Sequence, residues 1–90
     1  MIERPKKRED LLVRDVEEEL LIYDPRSGDT SLLNGTAAAI FDMCDGYTPV
    51  SVMTEEVLAV LPADPETVRD DVQRIIRDLA EKGLIEGRDE

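Results

Sequence analysis

The stretch TSLLNGTAAAIFDMCDG, residues 30–46, decides the fold, because the apolar period changes part-way along it. Thr30–Leu33 is a short β-leaning run and the return arm of a hairpin. Asn34 then caps a helix, since its side-chain oxygen can accept from first-turn N–H groups. Ala37, Ile40, Phe41 and Cys44 recur at helical spacing and form one apolar face. Gly46 supplies a left-handed residue to end the helix. A strand handed straight to a capped helix predicts an α+β domain.

Upstream lie two more strands, residues 11–16 (LLVRDV) and 19–24 (ELLIYD). The alternation in the first is imperfect: Leu11, Val13 and Asp15 share one face, and Leu12, Arg14 and Val16 the other. Pro25-Arg26-Ser27-Gly28 is a turn, because proline presets φ and glycine tolerates a positive one. Downstream come two further helices. Thr48 is the expected cap of the second, with Pro49 at its first position. Its stripe is Val50, Met53, Val57 and Leu61, and Pro62 stops it. Asp64, Pro65 and Glu66 start the third helix with a cap, a preset φ and a carboxylate at the positive dipole end. Val68, Val72, Ile75, Ile76 and Leu79 face inward, Gly83 terminates, and Leu84-Ile85 folds back. The expected architecture is a three-stranded antiparallel sheet followed by three helices. The last two helices, joined by a tight connection, give it a winged helix-turn-helix-like form.

Ninety residues make one domain with one modest core. Aromatic residues are only 3% of the chain, so that core is aliphatic. The expected boundaries are a flexible N-terminal arm over 1–10, the folded domain over 11–86, and a flexible tail over 87–90. The arm gathers Arg4, Lys6, Lys7 and Arg8 against Glu3, and a solvated terminus accounts for it. The net charge of −11 opposes general nucleic-acid binding, because phosphates would be repelled. No apolar run is long enough to span a bilayer, and no signal-peptide core follows the basic start. One cysteine allows no internal disulfide. The expected setting is therefore the cytoplasm, without membrane contact.

Chemistry is sparse. The chain has no histidine, which removes the commonest general base and metal ligand. With Cys44 alone, neither a zinc set nor a Cys-His nucleophile can be assembled. Asp42, Asp45, Asp15 and Glu17–Glu19 match no calcium-loop spacing and read as solvated surface. Cys44 reads as a small core residue. No catalytic residue, metal or cofactor is expected.

The stretch from Leu33 to Phe41, then Cys44-Asp45-Gly46, resembles the PqqD family. Thr48, the Glu-rich second helix and the ending LAEKGLI, residues 79–85, resemble it too, so the likeness covers about residues 11–86. Phe41 stands where the family often has tryptophan. Leu61-Pro62-Ala63 replaces a longer connection that often ends in tyrosine. The resemblance implies a non-catalytic peptide chaperone, a recognition element for ribosomally made, post-translationally modified peptides. Such domains bind the leader segment of a precursor and deliver it to a modifying enzyme, often a radical S-adenosylmethionine enzyme. The named member serves pyrroloquinoline quinone biosynthesis.

The resemblance also places the ligand. Its strand would pair with the edge formed by Thr30, Ser31, Leu32 and Leu33, as strand addition permits. The third helix would be the other wall, with Arg69, Gln73, Ile76 and Arg77 on one side of it. Against this stands a plainer reading, in which Arg69 and Arg77 pair with Asp70, Asp78 or Glu81 on an exposed helix. A monomer or weak dimer is expected. The helix pair also permits a winged-helix DNA-binding regulator, although the third helix is net acidic where it would meet phosphates. A regulatory subunit that binds a protein kinase or transporter is a third reading, because a strand-binding groove serves any extended segment.

Overall fold

Three antiparallel strands precede the helices because a two-residue turn and a six-residue loop fold the β-leaning segments back on themselves. The computed structural model describes residues 3–87. In chain order the elements are β1 (Lys6–Lys7), β2 (Leu12–Val16), β3 (Glu19–Tyr23), β4 (Thr30–Leu33), α1 (Gly35–Asp42), α2 (Val50–Val60), α3 (Pro65–Glu81) and β5 (Ile85–Glu86). The main sheet has the order β2-β3-β4, so β4 is an edge. Its register sets Leu20 against Leu33 and Leu21 against Leu32. Leu20, Ile22 and Leu33 therefore face the helices and are buried, whereas Leu32 faces outward.

Glu17 forms the β2–β3 turn with φ of 60°, a conformation that favours glycine. Relief of this strain should outweigh the extra chain entropy glycine brings to the unfolded state. Glu17→Gly is therefore expected to raise stability by about 0.5–1 kcal/mol, a few degrees in a thermal melt. An unchanged or lowered melting temperature would show that the turn is not strained.

The caps behave as local chemistry requires. The Asn34 side chain accepts from the Ala37 N–H at 3.1 Å. Asp64 accepts from the Thr67 N–H at 3.1 Å, with Pro65 in the first helical position. Two expected ends differ. Thr48 does not cap α2; its N–H and hydroxyl turn to the Asp45 carboxylate at 2.8 and 3.1 Å, leaving Pro49 at the cap. Helix α1 ends at Asp42, capped by Met43, so Gly46 lies beyond it. Gly46 keeps a positive φ of 86° for another reason: the N-terminal segment crosses there. Its N–H donates to the Pro5 carbonyl at 3.0 Å, and a Cβ at this position would come into van der Waals contact with the Lys6 side chain.

The core lies between the sheet and the three helices, with Ile22, Ile40, Phe41, Met53, Val72 and Leu79 at its centre. Leu61, expected on the α2 stripe, is instead exposed at the helix end. Past α3, Gly83 turns the chain and the Leu84 N–H donates to the Leu79 carbonyl, a Schellman-type closure. The chain then returns as β5.

The N-terminal segment departs from a solvated arm over its described part. Lys7 and Lys6 pair with Ile85 and Glu86, adding a second, two-stranded sheet. Arg8 holds Asp24 and Asp10 through four hydrogen bonds and donates to the Gly83 carbonyl at 3.0 Å. A partner sixteen residues away leaves no periodic trace, which is why composition reads the segment as an arm. Of the tail expected at 87–90, only Gly87 falls within the described residues. None of the described helices is long and apolar enough to cross a membrane.

Candidate peptide-binding groove

The handover from β4 to α1 builds one wall of a groove. Because Asn34 caps α1 directly after the strand, Leu32, Leu33, Asn34, Thr36 and Ala37 form a continuous ledge. The opposite wall is α3, which contributes Asp71, Arg74, Ile75, Asp78, Leu79 and Lys82. These succeed one another at three- and four-residue steps, so they share a helix face. The groove encloses about 370 Å³. Leu33 and Leu79 are buried in its floor, with half-buried Ala37 and Ile75 beside them.

The rim is charged and alternates in sign along the helix. Arg74 reaches Asp71 at 3.5 Å, an exposed pair of small energetic weight. Asp78 and Lys82 make no ion pair among the described residues. Beside the groove, β4 has β3 on one side and no strand on the other among the described residues. Its outer edge therefore offers unsatisfied backbone groups to an added strand.

The structure brings together only part of the expected site. Thr30, Ser31, Leu32 and Leu33 form β4, and Leu32 and Leu33 reach the groove. Arg69, Gln73, Ile76 and Arg77 do not line it. Ile76 is 5% exposed and belongs to the core. Arg69 and Arg77 are exposed, and neither forms the ion pairs of the plainer reading among the described residues. The reason is geometric. The buried stripe of α3, centred on Val72 and Leu79, has a flank on each side, each roughly 100° away. Asp71, Arg74, Asp78 and Lys82 occupy the flank turned towards β4; Arg69, Gln73 and Arg77 occupy the other. No periodic signal separates the two flanks, because apolar Ile75 and Ile76 stand at opposite margins of the same stripe.

No cysteine or histidine lines the groove, and Cys44 lies outside it. Cys44 is fully buried, its thiol contacts the Ile40 carbonyl, and burial pushes its pKa up to about 12. A thiol so placed stays protonated and is no nucleophile. Among the described residues, no group of three or more His, Cys, Asp or Glu is placed to hold a metal ion. What the groove can do is bind: a strand edge, an aliphatic floor and a charged rim.

Residues 19–85 match the family model for coenzyme PQQ synthesis protein D (PqqD). No curated protein sequence is significantly similar to the chain. Solved structures of the same fold include TbiB1 in complex with the TbiA(beta) leader peptide, at 20% identity and TM-score 0.83, covering 94% of this chain and 99% of that one. Lasso peptide synthetase B1 complexed with its leader peptide is similar at 21% identity and TM-score 0.80, over 92% and 98%. The PqqD truncation of Methylobacterium extorquens PqqCD, described as a stand-alone recognition element, matches at 24% identity and TM-score 0.73, over 91% and 87%.

Proposed function

The chain belongs to the PqqD family, and from that membership and the groove we propose that it is a non-catalytic chaperone for the leader segment of a ribosomally made precursor peptide. The leader adds as a strand to the outer edge of Thr30–Leu33 and lays alternate side chains against α3. The observation that carries this reading is the open β4 edge standing beside a groove with an aliphatic floor and a charged rim. The similar structures of TbiB1 and of lasso peptide synthetase B1, each in complex with a leader peptide, support it. Arg74, Ile75, Asp78 and Lys82 make the helix wall in place of Arg69, Gln73, Ile76 and Arg77. The loaded domain presents the precursor to a modifying enzyme; family resemblance favours one of the radical S-adenosylmethionine type.

Strand addition supplies affinity through backbone hydrogen bonds and tolerates many sequences, so selectivity falls to the groove. The test is amide chemical-shift mapping with the leader of a precursor encoded beside this gene. Shifts are expected along Thr30–Ala37 and along α3 from Asp71 to Lys82. Shifts confined to α2, or to the segment around Arg4–Arg8, would overturn the reading even if the peptide bound tightly.

A further inference from the structure

Resting on that reading, we propose that the groove selects a leader carrying an acidic residue two positions from an aliphatic anchor, the acid pairing with Lys82. The floor between Ile75 and Leu79 is the apolar recess of the helix wall. Its centre lies level with residue 77 of α3, and Lys82 stands five residues further on. At the helical rise this is about 7.5 Å along the axis. Side chains on the same face of an extended strand recur every 6.8 Å or so. For a strand that runs along α3, an anchor seated in the recess sets its second neighbour beside Lys82.

The rim charges leave Lys82 as the place for that acid. Arg74 already faces Asp71 at 3.5 Å, whereas Lys82 has no ion pair among the described residues. A lysine at a helix C-terminus also suits the helix dipole, and that alone would explain its position. It does not explain why the same side chain lines a groove with an aliphatic floor beside an open strand edge. Asp78 adds the discrimination. It stands level with the recess, so a strand slipped by two residues would bring its acid against Asp78 instead of Lys82. The alternating rim thus attracts the correct register and repels the slipped one. A local cation is needed for this because the net charge of the chain is −11. At physiological salt the remote carboxylates are screened within about 8 Å, so the nearest charges decide.

The experiment uses a display library of random linear peptides, selected on the immobilised full chain and read by sequencing. The wild type is expected to enrich Asp or Glu at the second position from an aliphatic residue, about three- to fivefold over its library frequency. Lys82→Glu should replace that acid with Lys or Arg at the same spacing. Asp78→Asn should admit the acid at the slipped position as well. Arg69→Glu changes the net charge as much as Lys82→Glu but lies on the other flank, so it should keep the wild-type motif. The inference is overturned if wild type and Lys82→Glu select the same motif, or if Arg69→Glu shifts it equally. Selected peptides that lack any aliphatic anchor, or whose amide shifts avoid Leu32–Ala37 and α3, would overturn the groove reading as well.

Discussion

Phe41→Ala is expected to destabilise the domain by about 3–5 kcal/mol. Phe41 is the only phenylalanine and is 1% exposed, at the centre of an otherwise aliphatic core. Truncation removes the transfer energy of the ring and leaves a cavity that neighbours such as Ile40, Cys44 and Met53 can only partly fill. It also removes a cation–π contact, since the Lys7 ammonium lies 5.5 Å from the ring centroid. That contact ties the N-terminal segment to α1, so the loss extends beyond the core. Domains of this size are stable by only about 5–15 kcal/mol, so such a loss is a large share of the total. Urea unfolding should show a lower midpoint with the slope kept. A midpoint within a few tenths molar of wild type would mean that the ring is not a core residue.

The same residue shows what was legible in the sequence. Phe41, Ile40, Ala37 and Cys44 read as core because a helix repeats its inward face at fixed steps, and all but half-buried Ala37 are fully buried. Asn34 and Asp64 were legible for a related reason: a cap bonds within three residues of itself. The strand at Thr30–Leu33 was found with its bounds, because a turn and a cap delimit it on either side. What could not be read depends on contacts between distant segments. Periodicity identifies the buried stripe of α3 but carries no mark of which flank meets β4, so it does not separate Arg69, Gln73 and Arg77 from the residues that line the groove. Gly46 looked like a helix cap because a positive φ is the common requirement, whereas the neighbour that imposes it is Pro5, forty-one residues upstream. Lys6 and Lys7 looked like part of a solvated arm because nothing local pairs them with β5.

Asp24→Asn is expected to lower the melting temperature at neutral pH by more than about 5 °C. The Arg8 and Asp24 side chains are 7% and 8% exposed. Two parallel hydrogen bonds join them, at 2.7 and 3.0 Å. Asp10 takes the remaining face of the guanidinium, and the Arg26 N–H donates to Asp24 at 2.9 Å. The cluster joins the turn after β3, the N-terminal segment and the end of α3. Removing one charge leaves the other poorly compensated in a site with little water, which costs more than the pair itself contributes. The Arg8 guanidinium, and secondarily the Arg26 N–H, hold the Asp24 carboxyl down at about 2 against the opposing effect of burial. In the unfolded chain the same carboxyl titrates near 3.8. Its folded pKa is thus depressed, so its contribution is complete above the unfolded value and is lost as pH falls towards the folded one. Wild type should therefore lose stability between about pH 4 and 2 more steeply than Asp24→Asn, and the two melting curves should converge at the acid end. Melts recorded across that range decide it: parallel curves, or equal melting temperatures at pH 7, would show that the clamp does not hold the segment to the fold.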